Sequence, residues 1–264
     1  MRAVSAIIAL IALVAAPARA SDPVRLVTGP NYAPYVTPDL PDGGLLTHLV
    51  RRVYARMDKE VRVRRVPWKR TYRAVESGRF TAALGYVPSP ERRERFRFSA
   101  PLLRVTIKAM VPESSAMTAS TPADLAGLRY CVPRGWKDPA PIAELHTRGA
   151  LDRLTPPRLN DCFRMLKRGA QAETERGAPD FLAVEVALGR YHARNVAAAP
   201  DSVRFLDVTL GRPTLHAIFP RGATGSEAAR RRFDRHLTAM RESGELARIR
   251  ERYIDAHLTR PLRQ

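Results

Sequence analysis

VRVRRVPWKRTYRAVESGRFTAALGY, residues 61–86, carries the pattern that decides the fold. Val61 to Val66 alternates apolar and charged residues, the repeat of a half-buried strand. Pro67 then opens a helix, because the first helical turn has no use for the N–H that proline lacks. Gly78 closes that helix, since glycine tolerates the left-handed turn at a helix end. Phe80 to Tyr86 reads as a second strand, built of small residues.

Upstream, Val24 to Thr28 is a short strand that runs into a loop rich in Pro, Gly and Tyr, GPNYAPYVTPDLPDGG. Leu45 to Met57 follows as a helix, with Leu46, Leu49, Val50, Val53 and Tyr54 on one face. The order β-α-β-α-β predicts an α/β sandwich with a central sheet. Downstream, Val105 to Val111 is a strand, and a Ser/Thr-rich segment leads to a second set. That set has strands at Arg129–Pro133, Asp180–Val184, Val203–Leu210 and Thr214–Phe219, and helices at Pro141–Thr147 and Glu185–Ala193. Asp161 is expected to N-cap the helix that begins CFRMLKRG. The tail, 225–258, is two amphipathic helices meeting at Ser243-Gly244. Similar sets on either side of residue 105, with helices at the end, fit two lobes between which the chain crosses twice.

The first 20 residues, MRAVSAIIALIALVAAPARA, combine a basic start, an apolar run and the small-x-small sequence Ala18-Arg19-Ala20. They predict a secretory signal peptide cut after Ala20 and a periplasmic protein. The net charge is +19, and arginine outnumbers lysine 40 to 5. A basic chain suits an anionic partner. The arginines run from end to end with no nucleic-acid-binding motif, so nucleic acid is not expected. Cys131 and Cys162 form an even pair in an exported chain, which favours a disulfide over two buried thiols. The six histidines include no i, i+4 pair; neither a metal nor a cofactor is expected.

Several segments in order resemble one family: GPNYAPY, GGLLTHLVRRV, VPWKRTYRAVESGRFTAALGY, SPERRERFRFSAPL, ADLAGLRYCVPRGW, NDCFRML, DFLAVE and FDRHLTAMRESGELARIRERY. The chain is similar to periplasmic type II solute-binding proteins of the polar amino-acid ABC transporter class, the bacterial extracellular solute-binding proteins of family 3. The resemblance implies two lobes, each a central mixed sheet flanked by helices, joined by a two-stranded hinge near 104–106 and 212–214. By that analogy lobe 1 is 21–104 with 213–264, and lobe 2 is 105–212. It also implies a ligand held in the cleft as the lobes close.

The family's ligand-gripping arginine lies six residues before the Phe of Phe-Ser or Phe-Thr, which here makes it Arg92, before Phe98. Its planar fork meets two carboxylate oxygens at once. Arg93, Arg95 and Arg97 are expected to face solvent or acids such as Glu91 and Glu94. Tyr32 occupies the place of the family's cleft aromatic, with plain packing in a Pro-rich loop as the alternative. Trp68 lines the cleft or packs in the core. Gly85 and Tyr86 end the strand that reaches the ligand. Glu185 stands where the family offers an acid to the ligand's ammonium, or else serves the first turn of a helix. Trp136 replaces the small polar residue of the loop after Gly135, and Val87 replaces a small hydroxyl residue. With Tyr35 these rings suggest a ligand with apolar surface.

The function expected is non-catalytic capture of a small anionic or zwitterionic solute, an amino acid or a relative of one, by a monomer serving an inner-membrane ABC permease. Two alternatives share the fold: a cyclohexadienyl-dehydratase-like enzyme using Glu185 as acid or base, and a binding protein that presents its ligand to a sensor.

Overall fold

The structure is a computed structural model that describes residues 22–30, 32–171, 177–195 and 202–258. The expected signal peptide lies outside the described residues. In chain order the elements are β1 (Val24–Thr28), α1 (Leu45–Ala55), β2 (Val61–Arg65), α2 (Trp68–Glu76), β3 (Ala82–Tyr86), α3 (Pro90–Arg95), β4 (Phe96–Phe98) and β5 (Leu103–Arg104). Then come β6 (Ile107–Pro112), β7 (Arg129–Cys131), α4 (Ala140–Thr147), β8 (Asp152–Leu154), α5 (Leu159–Gln171), β9 (Phe181–Glu185), α6 (Val186–Asn195) and β10 (Val203–Gly211). The last three are β11 (Thr214–Pro220), α7 (Ser226–Glu242) and α8 (Glu245–His257).

The strands form two sheets. The first has the order β2-β1-β3-β11-β4, with β5 also paired to β11. Its β1, β2 and β3 are parallel and β11 is antiparallel to its neighbours. The second has the order β10-β6-β9-β7-β8, again mixed. The two-residue alternation of strands explains how each sheet buries both faces. Leu26, Leu84, Ala217 and Phe219 point to α1, α7 and α8, while Val27, Ala83 and Ile218 point to α2. In the second sheet Ala109, Val111, Phe181 and Ala183 share a core with Ile142 and Leu145 of α4. Met110, Leu182 and Val184 face Leu166 of α5 and Leu188 of α6.

The chain leaves the first sheet between Arg104 and Ile107 and returns between Gly211 and Thr214. The two crossings run side by side, with the Val105 N–H donating to the Pro213 carbonyl at 3.0 Å. Cys131 and Cys162 are joined in a disulfide that ties β7 to α5, and free thiols are thereby excluded. Its loop of 31 residues stabilises the folded chain by roughly 3–4 kcal/mol in the chain-entropy account.

Two local expectations are corrected. Asp161 is not a cap: α5 begins at Leu159, so Asp161 sits inside its first turn, where it accepts from the Arg158 N–H at 3.1 Å and pairs with Arg164. Glu185 ends β9 rather than starting a helix, paired in register with Ile107. The strand β8 had no expectation; at three residues it is too short for alternation to show.

Candidate ligand cleft

The loop between β1 and α1 is held from both ends. Tyr32 and Val36 exchange backbone hydrogen bonds at 2.9 and 2.8 Å. The first N–H groups of α1 have no partners within the helix, and Leu45 and Leu46 donate instead to the carbonyls of Pro34 and Tyr35, both at 2.9 Å. So close an approach requires glycine at the entry: a Cβ on Gly44 would lie 2.6 Å from the Tyr35 oxygen, and its φ is +103°. The loop's two tyrosines are thereby fixed beside the second sheet.

Trp68, the first residue of α2, lies across the ends of β1 and β3. It packs so closely on Gly29 that a Cβ there would sit 2.0 Å from the indole. The indole meets the Tyr32 ring edge-on at 6.0 Å and the Tyr86 ring edge-on at 5.6 Å. Such crossed arrangements suit the ring quadrupoles, each worth about 0.5–1.5 kcal/mol beyond burial. Tyr35 extends the row at one end, 5.1 Å from Tyr32. Gly85, with φ +89°, lets β3 bend beneath Trp68. Trp68 is only partly buried, and it both packs on a core cluster and faces this row.

Arg92 stands at the other end, with its guanidinium 5.5 Å from the centre of the Tyr86 ring. Ser89 caps the short helix α3 by accepting from the Arg92 N–H at 3.4 Å. The side chain is steered by its own neighbours: Nε donates to the Tyr72 hydroxyl at 3.0 Å and Nη1 to the Val87 carbonyl at 2.6 Å. Nη2 makes no hydrogen bond among the described residues. Of the other three arginines of the run, Arg93 and Arg95 are exposed as expected, but among the described residues none pairs with Glu91 or Glu94. Arg95 pairs with Glu76 at 2.7 Å and Arg97 with Glu227 at 2.8 Å, while Arg93 lies over Phe98. Glu91 instead reaches Lys137 at 3.4 Å, across to the loop after β7.

Glu185 lies at the Tyr32 end. It is 8% exposed, and its Oε1 accepts a short hydrogen bond from the Tyr32 hydroxyl. Burial pushes its carboxyl up to about 7, against the opposing pull of the Tyr32 and Tyr35 hydroxyls. Burial and the neighbouring carboxylate in turn raise both tyrosines well above their ordinary value, so they remain donors. Oε2 is buried with no hydrogen-bond partner among the described residues. A buried acceptor left unpaired costs about 1–3 kcal/mol or more; besides Tyr32, the Tyr35 hydroxyl also acts on this carboxyl, and Oε2 can take a further donor.

Trp136 is partly buried against the core clusters on both faces of the second sheet, and its carbonyl accepts from Arg153 at 3.2 Å. Its ring meets none of the row's rings within the described ring contacts, though Tyr32 packs on one of the same clusters. The structure thus brings Tyr32, Trp68, Gly85, Tyr86 and Arg92 into one continuous surface of the first sheet's side, joins Glu185 to it, and sets Trp136 apart. Sequence reading counted Tyr35 among the cleft's rings but gave no role to Tyr72 or Gly29. Tyr72 was findable, one helical turn after Trp68 and so on the same face.

Two mixed sheets, a double crossing and a charged, aromatic-lined seam between them define a two-lobe binding protein of type II. The match to the model of the bacterial extracellular solute-binding proteins, family 3, spans residues 24–256, and the chain belongs to that family. Solved structures share the fold. An amino acid ABC transporter substrate-binding protein from Streptococcus pneumoniae bound to L-arginine is 18% identical, covering 88% of this chain and 94% of that one with a TM-score of 0.66. A histidine kinase sensor domain similar to periplasmic binding proteins is 20% identical, over 88% and 96%, with a TM-score of 0.68. A ligand-binding core from Nostoc punctiforme in complex with L-glutamate is 16% identical, over 87% and 99%, with a TM-score of 0.66. No curated protein sequence matches the chain.

Proposed function

We propose that the protein is a non-catalytic periplasmic receptor for an amino-acid-like solute with a carboxylate and a cationic nitrogen set apart by an apolar stem. The observation that carries this is the polarity of the aromatic row. Arg92 stands at one end, and Glu185, with a buried unpaired oxygen, at the other. The carboxylate takes the arginine fork. The nitrogen supplies a further donor at Oε2, or displaces the Tyr32 hydroxyl from Oε1. The stem lies on the faces of Tyr32, Trp68 and Tyr86, which also favour a cation. The lobes are 21–104 with 213–264 and 105–212. The mature chain, cut after Ala20, acts as a monomer that delivers its ligand to an inner-membrane ABC permease. The arginine-bound relative is in keeping with such a ligand.

A thermal-shift screen of refolded, ligand-stripped protein tests the reading. Ligand at 100 times its Kd adds about 2.7 kcal/mol, which at about 2–4 °C per kcal/mol for a chain of this size is a shift of roughly 5–10 °C. L-Arginine and L-lysine are expected to shift the melt more than L-alanine or L-glutamate. A response confined to neutral or dicarboxylic compounds would overturn it.

The kinase sensor domain among the similar structures favours a second reading, in which the loaded receptor engages a sensor. The two readings differ in which membrane protein co-purifies with the loaded form, a permease or a kinase. A carboxyl that titrates near 7 is also suited to acid–base chemistry. On the receptor reading, purified protein leaves prephenate and arogenate unchanged; turnover lost in Glu185→Gln would reverse it.

A further inference from the structure

Lys108 stands on β6 between Ile107 and Ala109. Those two face the core shared with α4, so alternation sends Lys108 to the opposite face, with Met110 and α6. Glu185, paired with Ile107, belongs to the other face. On its own face Lys108 helps line a cavity of about 480 Å3, whose lining shares no residue with the cleft. Arg190 and Arg194 of α6 and Arg204 of β10 complete its charged rim. Val186, Val203 and Phe205 form an apolar wall. Among the described residues no carboxylate lines it; Asp207, two places beyond Phe205 on β10, is not part of the lining.

Among the described residues the cations are held in place without being neutralised. Arg204 donates to the carbonyls of Ser115 and Met117 at 2.7 and 2.5 Å, and Arg194 to the Leu258 carbonyl at 2.6 Å. Arg190 lies 6.0 Å from the centre of the Phe205 ring. None of these contacts removes charge. Lys108 is partly buried and makes no hydrogen bond or ion pair among the described residues. Four like charges around one cavity repel one another, and a multiply charged anion relieves that repulsion.

We propose that this cavity is a second ligand site, separate from the cleft, for a phosphate group carried on a small apolar body. Phosphate meets arginine forks bidentately and lysine as a point charge. The apolar wall takes the ester substituent, and the volume lies in the usual range of small-molecule sites. Free organic phosphates and the headgroups of anionic phospholipids share this chemistry.

The test is calorimetric titration of the mature protein with phenyl phosphate and with inorganic phosphate, at about 0.15 M salt so that diffuse attraction is screened. Saturable binding of one phenyl phosphate per chain is expected, tighter than inorganic phosphate. Lys108→Gln with Arg190→Gln should weaken it at least tenfold. Arg232→Gln with Arg235→Gln, an equal charge loss on exposed positions of α7, should weaken it less than twofold. A vesicle arm separates the sources: sedimentation with phosphatidylglycerol vesicles but not phosphatidylcholine vesicles, lost in the Lys108/Arg190 variant, supports the site with a lipid headgroup as its ligand. No saturable binding to any probe, or equal losses in the two variants, overturns the proposal, since the second result is what net charge alone would give. Unchanged binding of the cleft ligand by the Lys108/Arg190 variant shows that it is folded.

Discussion

Arg92 and Glu185 close the two ends of one aromatic row, and they are held in opposite ways. Every contact that aims Arg92 comes from its own side of the molecule: the Tyr72 hydroxyl, the Val87 carbonyl and the Tyr86 ring. Glu185 belongs to the second sheet, yet its hydrogen-bond partner Tyr32 belongs to the loop after the first. The arginine is therefore preorganised whether the lobes are together or apart. On the proposed reading the glutamate would change surroundings as the lobes part, from a buried, tyrosine-bonded acid to a solvated one. One end of the site would then supply binding energy, and the other would sense closure.

The largest effect expected is at the preorganised end. Arg92→Ala should weaken the ligand found by the thermal-shift screen about a thousandfold, near 4 kcal/mol, the range for breaking a desolvated, hydrogen-bonded charge pair. Arg92→Lys should recover little, because a point charge does not reproduce the fork. Unchanged affinity in Arg92→Ala would break the comparison outright, leaving Arg92 as a strut between Tyr72 and Tyr86.

The other end should announce itself through pH. The Glu185 carboxyl titrates near 7 in the folded protein against an ordinary value of 4.5. The folded state then holds this proton more tightly than the unfolded state does. The stability it contributes is full below pH 4.5 and is lost as pH rises to about 7, a change of about 3 kcal/mol. Partly buried His192, pushed down to about 4 by desolvation, runs the other way, losing stability as pH falls below 6.5. The difference between wild type and Glu185→Gln, measured by urea unfolding from pH 4 to 8, isolates the glutamate. Parallel curves would remove the buried acid. Bound ligand sharpens the test: a cationic nitrogen needs the carboxylate, so affinity should climb through pH 7 with release of a proton.

The fold was legible because each sheet and its helices repeat a local pattern. VRVRRV, a proline, a helix and TAALGY state their periods within 26 residues. The site was legible only in part. Arg92, Tyr32 and Glu185 came from family resemblance, and nothing local in the sequence tells which acid an arginine meets. Arg97 found Glu227 and Arg95 found Glu76, both outside the run. These pairings are set by β11–β4 pairing and by the seating of α2 and α7, long-range features that charge counting does not carry. Likewise Gly29 reads as a turn residue until Trp68 is seen lying on it.

That contact gives a smaller effect, on the row between the two ends. Gly29→Ala would force the indole away, at a cost of about 2 kcal/mol for a tightly packed place. In a Trp136→Phe background the remaining tryptophan's emission should shift, because its contacts with Tyr32 and Tyr86 loosen. Unchanged emission and stability would mean that Trp68 is not wedged there, and that the two charged ends are not connected through it.

The smallest effect separates closure by buried groups from closure by surface charge. Lys137 and Glu91 meet across the seam at 3.4 Å, but their side chains are 68% and 72% exposed. The Glu91 carboxyl is held below its usual range first by the Ser89 hydroxyl, with Lys137 contributing less. An exposed pair of this kind competes with water and salt and gains little by forming. Lys137→Ala should therefore change ligand affinity by no more than about threefold at low salt, and by less as salt is raised. A large, salt-sensitive loss would move the closing energy from the Tyr32–Glu185 contact to the rim, and Glu185 would then report closure without helping to hold it.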